Sequence, residues 1–464
     1  MLRPAFHNRI RPRLGAALSA AEQVAAIAEI DARPTDWVAQ QVDGLSTVPV
    51  WSNGTLEPRS MVLRVFAIST ESGWQVMPGG LARVSSAADL LTARLQTGGG
   101  GSKDLWIIAE QSAAVPLGPR GRAAPVKLVR GNRDLPSRVA DNMFWLGRYV
   151  ERSECTTRLL RAAVQRIEEA LDQNDSARAV FFARVMARLG LSVPADALEN
   201  PVSLPRRLVA HHLGSGDGGL ALEVDRLLRV VINLRDRLST DTWRALQRLR
   251  DDVRRLGLNA GQRDVLSRLN DLVLTSEAVS GLSMENMTRG PLWLFMDAGR
   301  RVERAIAIVD TLGGALADAE GEDAVPMDLL LELWDSAMTY RSRYRAAPRL
   351  AAVLDLLLFD ESNPRSLGFQ LAALSDHVDS LAQMVGSDGF LRTEQRLMNV
   401  LCGTTRTADA LLLAQYDADG GYHDAERLLE TLRSRLWELS ELLSREYFSH
   451  AQWRLPSQPP ELLA

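Results

Sequence analysis

The hexapeptide Gly-Arg-Tyr-Val-Glu-Arg at residues 147–152 returns as Gly-Arg-Arg-Val-Glu-Arg at residues 299–304. An apolar run with helical spacing follows each copy, so the sequence predicts that both copies lie on helices. Residues three and four apart on a helix are neighbours, so the first and last arginine and the glutamate of each copy share one face. A glycine costs a helix about 1 kcal/mol relative to alanine, but it lets another backbone approach closely. The repeat thus predicts two helices that meet at a specified packing or binding surface.

The charged residues of the two copies admit three interpretations; they are Arg148, Glu151, Arg152, Arg300, Glu303 and Arg304. On a solvated face they would form intrahelical pairs, each worth only about 0.3–0.5 kcal/mol. If the helices instead face each other through their glycines, each glutamate holds guanidinium groups of the opposite helix. Such a network would be structural first and, second, a set of forked donors for a carboxylate or phosphate. A third interpretation makes Glu151 or Glu303 a general base, which requires a pocket that raises its pKa.

Composition and charge set broad limits on function. A chain of 464 residues is long for a single domain. Its hydrophobic share of 46% and net charge of −4 are ordinary for a soluble protein and argue against a nucleic-acid partner. The two cysteines, Cys155 and Cys402, form neither a disulfide framework nor a metal-ligand spacing. No uncharged apolar run approaches the ~20 residues that span a bilayer, so we expect a cytoplasmic protein without a membrane partner.

The chain changes character near residue 136. Helical periodicity dominates from there, and Gly or Pro separates most of the predicted helices. They span residues 137–172, 220–238, 242–256, 262–281, 292–317, 365–387, 390–414 and 423–448. The predicted fold is therefore mainly α: a large all-α bundle of about ten helices, preceded by a small incomplete α/β segment.

The α/β segment is predicted over residues 1–111. It contains a helix at 20–30 and four strands, at 37–42, 62–68, 74–77 and 105–108. Residues 112–135, rich in Pro, Gly and Arg, are predicted to be a linker. The helical domain then occupies 136–455, and 456–464 form a tail.

A second cluster is Tyr-Arg-Ser-Arg-Tyr at residues 340–344. On a helix, Tyr340 and Tyr344 would stack on one face while Arg341 and Arg343 flank it. This arrangement makes the cluster a candidate binding surface. An amphipathic helix with snorkelling arginines is the alternative interpretation.

A third candidate is the segment that starts at Asn363. Asn before Pro is typical of a helix N-cap followed by the first helical position. Arg365, Ser366 and Gln370 would then lie at the positive end of that helix, where an anion is favoured. The alternative is that the segment only starts a helix and binds no anion, which would explain half of the pattern.

A glycine run at residues 98–101 leads to Lys103 and could cradle phosphates with backbone N–H groups. No Gly-Lys-Ser/Thr follows, so it is not a Walker loop, and a flexible surface loop is the favoured alternative. No Cys-x-x-Cys, His-Glu-x-x-His or Glu-x-x-His motif occurs, so we expect no metal site of those types and assign no catalytic residue.

The helical part resembles a known family. Residues 141–152 resemble the opening of the bacterial alpha-E domain, and 285–290, the second repeat, 340–344 and 363–371 resemble its later blocks in the same order. The resemblance covers about 136–455.

The first part is similar to the carboxy-terminal portion of a circularly permuted ATP-grasp protein. The similarity is carried by residues 37–41, 45–49, 63–67, 77–84 and 101–106. It implies ATP-dependent formation of amide or peptide-like bonds through an acyl phosphate. By the same resemblance, Gln40 or Gln41 would lie near the adenine, and Arg64, Arg83 and Lys103 near phosphates.

The resemblance also implies a missing piece. Proteins of that type carry, before the portion matched here, a longer segment with the acidic and Asn magnesium ligands. We therefore expect that ATP and Mg²⁺ bind firmly only when a partner chain supplies this half and docks on residues 1 to ~110. The chain would be the non-autonomous half of an ATP-dependent amide ligase, with the helical domain binding a peptide substrate or a partner. The alternative is a non-catalytic helical scaffold with a vestigial ATP-grasp arm.

Overall fold

The computed structural model describes residues 2–4, 13, 15, 18–32, 37–41, 46–52, 54–70, 73–84, 101–108, 135–214, 219–258, 265–317, 319–322, 325–385, 389–418 and 420–448. The chain divides into two compact units, Met1–Val126 and Lys127–Ala464. The division falls inside the predicted linker, which apart from residue 135 lies outside the described residues, as does the predicted tail.

The described residues of the N-terminal unit form one helix and two antiparallel sheets. Its elements are β1 (Leu2–Pro4), α1 (Ala20–Ala32), β2 (Trp37–Ala39), β3 (Thr47–Ser52), β4 (Thr55–Thr70), β5 (Gly73–Val84) and β6 (Ser102–Asp104). β1 pairs with β2, and β3 to β6 form a four-stranded sheet in chain order. This is the expected small α/β segment, with every described strand pair antiparallel.

One strand prediction was wrong in this unit, and one strand was not predicted. Residues 105–108 do not form a strand, although most are apolar, and Ile108 is 98% exposed. The strand in this region is β6, which ends just before them. β3 was missed because Pro49 interrupts its pattern, but β3 is an edge strand, where proline is tolerated. The predicted strands at 62–68 and 74–77 are parts of the longer β4 and β5, which pair from Met61 with Val84 to Thr70 with Gly73.

The helical unit holds fourteen α-helices among the described residues, more than the ten or so expected. They are α2 (Ser137–Asp172), α3 (Ser176–Arg188), α4 (Leu204–Leu213), α5 (Leu220–Ile232), α6 (Thr240–Leu258), α7 (Val265–Asn286), α8 (Pro291–Leu316), α9 (Met327–Leu333), α10 (Ala337–Tyr344), α11 (Leu350–Leu354), α12 (Leu367–Val385), α13 (Thr393–Thr407), α14 (Ala410–Leu413) and α15 (His423–Phe448). A π-helical turn (Asp355–Phe359) extends α11. The mainly α fold class is confirmed.

Several of the extra helices are short, whereas α3 and α4, with 13 and 10 residues, are of ordinary length and were missed. α9, α10 and α11 have eight residues or fewer, which is too short for a periodicity argument. The predicted helix at 390–414 is broken in two, because the Asp409 carboxylate accepts from the Leu411 N–H and starts α14 anew.

The core of the helical unit runs along α2 and α8. α2 buries Phe144, Leu160 and Ile167, and α8 buries Ile308 and Leu312 against it. Each such side chain stabilises the fold by roughly 1.5–3 kcal/mol. α5, α7, α12 and α15 pack around this central pair, so both copies of the repeated hexapeptide lie in the middle of the bundle.

Candidate functional site: the paired arginine–glutamate network

Two glycines bring the backbones of α2 and α8 into direct contact. A Cβ atom on Gly147 would lie 2.0 Å from the Met296 carbonyl oxygen, and one on Gly299 would lie 2.1 Å from the Phe144 carbonyl oxygen. No side chain fits at either position, since real Cβ atoms essentially never come within 3.0 Å of such an atom. The contact is reciprocal, and it places each copy of the repeat opposite the other.

Glu151 forms the first cross-helix pair. Its two carboxylate oxygens accept from Arg304 Nε and Nη2 at 2.5 and 2.8 Å, a forked geometry specific to guanidinium. The Arg300 Nε atom lies 3.8 Å from the same carboxylate. Glu151 is only 2% exposed, so this pair is shielded from solvent.

Glu303 forms the second cross-helix pair. One carboxylate oxygen accepts from Arg148 Nε and the other from Arg152 Nε, both at 2.6 Å. Arg148 also donates to the Ser440 hydroxyl of α15 at 2.8 Å. Its guanidinium carbon lies 5.0 Å from the Trp145 ring centre and 5.2 Å from that of Trp437, within cation–π range. The structure therefore has the arrangement in which each glutamate of the repeat binds guanidinium groups of the opposite helix.

The network extends along α2 to Glu154. Its carboxylate accepts from Arg158 at 3.0 Å and from Arg365 at 2.9 Å, and both arginines also donate to Glu277 of α7. Burial alone would raise the pKa of Glu154, but Arg304, Arg365 and Arg158 outweigh it and lower that pKa to about 2. Arg365 thus binds the protein's own carboxylates rather than an external anion.

Asp297 forms a further buried node, on α8. Its carboxylate accepts from Arg301 at 2.7 Å and contacts His377 Nε2 at 2.8 Å. Arg301 also donates to the Gln370 side-chain oxygen at 3.2 Å. Burial opposes ionisation of Asp297, but His377, Arg301 and Arg300 prevail and hold its pKa well below the usual range. α8 and α12 are linked through this node.

The network leaves little room for a ligand. A cavity of about 10 Å³ lies beside Glu151, Glu154, Cys155 and Arg365, which is room for about one water molecule. Burial raises the pKa of the Cys155 thiol, so Cys155 is not a reactive thiolate. The geometry favours a structural network over an anion site, and it offers Glu151 and Glu303 no substrate-sized pocket in which to act as bases.

Sequence reasoning missed several members of the network: Glu154, Arg158, Glu277, Asp297, Arg301, His377 and Ser440. Some carried a usable local signal. Glu154 and Arg158 continue the face of Glu151 at helical spacing, and Asp297 precedes Arg301 by four residues. The others come from different helices and leave no local trace.

The Tyr-Arg-Ser-Arg-Tyr cluster lies on α10. Tyr340 and Tyr344 are stacked, with ring centres 4.8 Å apart. Tyr340 is buried, and its hydroxyl donates to the Ala347 carbonyl and accepts from the Arg349 N–H, so it holds the following turn. Arg341 and Arg343 are both exposed, and Arg343 donates to Asp360 at 2.6 Å.

The prediction of an N-cap at Asn363 was wrong. α12 begins at Leu367, and the Ser366 hydroxyl accepts from the Phe369 N–H as a cap does. Asn363 instead closes a turn: its side chain accepts from the Arg365 N–H and donates to the Ser336 hydroxyl. Gln370 donates to the Pro364 carbonyl at 2.7 Å. Asn363, Ser366 and Gln370 thus form these hydrogen bonds within their own segment and with Ser336.

The nucleotide-binding candidates of the N-terminal unit do not converge. Directly paired residues share a sheet face, and Arg64 pairs with Leu81, so Arg64 and Arg83 lie on one face. Lys103 pairs with Ala82 and therefore lies on the opposite face, where its ammonium donates to the Pro49 carbonyl. Gln40 and Gln41, just after β2, are exposed, and residues 98–100 lie outside the described part of the chain.

The described residues of this unit bring no metal-ligand cluster and no single phosphate-facing set of cations together. Throughout the described ranges, no group of three His, Cys, Asp or Glu side chains could hold a metal ion. Lys103 is bonded to a backbone carbonyl and separated by the sheet from Arg64 and Arg83.

The four-stranded sheet of the N-terminal unit is instead notable for exposed apolar residues. Trp51, Ile68 and Trp74 are 69, 69 and 74% exposed. Val62 and Leu63 are adjacent on β4 and so point to opposite faces, and both are exposed. Trp51 pairs with Leu56 near the start of β4 and Trp74 pairs with Ser69 near its end, so the exposed apolar residues are spread along the sheet and over both of its faces. Extensive exposed apolar surface marks interaction sites in soluble proteins.

Comparisons with known proteins agree with this division. A family model for circularly permuted ATP-grasp type 2 matches residues 1–85. An uncharacterized Mycobacterium tuberculosis protein is 28% identical over 463 residues, covering 93% of this chain and 50% of that protein, and one from Mycobacterium bovis matches equally. The chain thus spans about half the length of these curated relatives. A Frankia casuarinae protein named as a candidate glutamate–cysteine ligase is 41% identical over 76 residues, covering 16% of this chain and 8% of that protein.

No solved structure matches the chain. Within the described helices, none is both long and apolar enough to cross a membrane. The Alpha-E family model, for "a predicted alpha-helical domain with a conserved ER motif", matches residues 135–448, and the chain belongs to this family.

Proposed function

We propose that this chain is the non-autonomous part of an ATP-dependent amide or peptide-bond ligase. In this proposal an ATP-grasp complement docks on the N-terminal sheet, and the helical unit binds the substrate or the partner. The observation that carries the proposal is the exposed apolar sheet, because it lies in the segment that matches a circularly permuted ATP-grasp protein.

One further observation supports the need for a complement. The strand register directs Lys103 away from Arg64 and Arg83, so these three side chains do not form one set of phosphate donors.

A second candidate function is a non-catalytic scaffold. The observation in its favour is the arginine–glutamate network, which is internally paired and leaves only about 10 Å³ beside it. In that case the helical unit would hold a partner enzyme or a peptide, and the N-terminal unit would be a vestige.

ATP hydrolysis in the presence of Mg²⁺ distinguishes the two candidates. The chain would be assayed alone and mixed with its ATP-grasp complement, taken from the adjacent upstream reading frame. The ligase proposal predicts turnover only in the mixture, with a loss on changing Arg64 or Lys103 to Ala. Arg427→Ala, on the exposed face of α15, is the matched control and should leave turnover unchanged. A mixture that neither associates nor hydrolyses ATP would contradict the ligase proposal and leave the scaffold.

A further inference from the structure

A groove of about 1060 Å³ opens on the helical unit, away from the arginine–glutamate network. It lies between the end of α10, the π-helical turn after α11, and the segment that joins α13 to α14. Its volume is that of a small-molecule or short-peptide site. π-helical turns of this kind occur frequently at functional sites.

The charges in the groove are only partly balanced. Arg343 is paired with Asp360, and Arg406 with Glu361, at 2.6 and 2.7 Å. A third lining arginine, Arg349, is paired with Glu322, which lies outside the lining.

Two lining carboxylates, Asp355 and Asp409, have no cationic partner among the described residues. Asp355 accepts from the Tyr344 hydroxyl at 2.7 Å, and Asp409 accepts from the Leu411 N–H at 2.8 Å. Both carboxylates are exposed to the groove and each retains an oxygen for a further donor. The local charge complements a cation.

Apolar groups share the rest of the lining with Tyr344, Thr405 and Thr407. Phe359, Ala352 and Ala408 line the groove, together with Leu411, which is 71% exposed. The backbone at Gly368 packs against the π-helical turn, because a Cβ atom there would lie 2.9 Å from the Phe359 carbonyl oxygen. The site therefore combines an apolar floor with two carboxylates that lack a counter-charge.

We propose that this groove binds a short peptide-like ligand through its ammonium group, which Asp355 and Asp409 receive while the apolar floor packs against the ligand's side chains. This inference rests on the proposed function, for which it supplies the site of the amine substrate. It requires no nucleotide, so it can be measured on this chain alone.

The test uses a defined probe, the tripeptide Ala-Leu-Ala amide, which carries one positive charge. Its binding to the full chain would be followed by saturation-transfer NMR and compared with that of the N-acetylated peptide, which is uncharged. Asp355→Asn and Asp409→Asn keep the acceptors for Tyr344 and Leu411 but remove the charges. Asp424→Asn, on the exposed face of α15, is the matched control.

The charged peptide should bind, and the acetylated peptide should bind at least about fivefold more weakly. Each groove variant should weaken binding about three- to fivefold, as expected for one exposed charge pair, and Asp424→Asn should not. Equal binding of both peptides, equal binding by the groove variants, or no binding at all would overturn the inference. ATP turnover by the mixture with the complement would still be possible then, so the proposed function would stand or fall separately.

Discussion

The contact between α2 and α8 can be tested by adding one methyl group. In Gly147→Ala, the new Cβ must move from 2.0 Å to the 3.4 Å of an ordinary contact with the Met296 carbonyl oxygen, a displacement of about 1.4 Å. The same displacement would lengthen the 2.6 Å contacts of Glu303 with Arg148 and Arg152 beyond hydrogen-bonding distance.

The expected cost has three contributions. Overpacking costs about 1–3 kcal/mol, and disrupting a buried ion pair costs about 3–5 kcal/mol. The higher helix propensity of alanine stabilises the helix by about 1 kcal/mol and offsets part of this cost. We therefore expect Gly147→Ala to lower the free energy of unfolding by about 3 kcal/mol or more.

Urea denaturation followed by helical circular dichroism measures this change. Gly313→Ala is the matched control, because Gly313 also lies on α8 and a Cβ there would have nothing within 4 Å. It should be neutral or stabilising by up to about 1 kcal/mol. If Gly147→Ala and Gly313→Ala unfold at the same urea concentration, the account of the glycine contact is refuted.

Three further variants test other parts of the structure. Glu151→Gln should destabilise the fold by about 3–5 kcal/mol in the same denaturation assay, because Arg304 would keep a buried charge without its counter-charge; unchanged stability would place the network on a solvated face. Burial raises the pKa of Glu223 to about 7, so its protonated form favours folding and that stability is lost as the pH rises from about 5 through 7. Glu223→Gln should therefore unfold at higher urea than the parent at pH 8 but not at pH 5, and a parallel shift at both values would contradict the assignment. Trp74→Glu should leave the urea unfolding of the helical unit unchanged, since Trp74 is 74% exposed on the sheet; unfolding at lower urea would argue against an exposed side chain.

Much of the helical fold could be predicted from local pattern. The bounds of α2 and α15 match the predicted 137–172 and 423–448, because their apolar period persists over many turns. α11 was missed since it is too short to show a period, and α10 was considered only at residues 340–344, through the spacing of its two tyrosines. α12 was predicted to start two residues early, because Asn363 and Pro364 resemble a helix start but form a turn.

The candidate site was predictable only where the signal was local. The repeated glycines indicated a close approach, and the structure places Gly147 and Gly299 at that approach. Asp297 and His377 lie 80 residues apart and meet only in the folded bundle, so no spacing rule links them. The resemblance to the ATP-grasp family placed both Lys103 and Arg64 near phosphates. In the structure the two side chains lie on opposite faces of the sheet, because successive residues of a strand alternate between its faces.

The most direct test of the central claim is a calorimetric titration of this chain with its ATP-grasp complement at several temperatures. Saturable binding with a negative change in heat capacity is expected, because the exposed apolar surface around Trp74 becomes buried. Trp74→Glu is expected to abolish that binding. No binding, or binding that leaves the heat capacity unchanged and survives Trp74→Glu, would contradict the claim that the N-terminal sheet is the docking face of a split ligase.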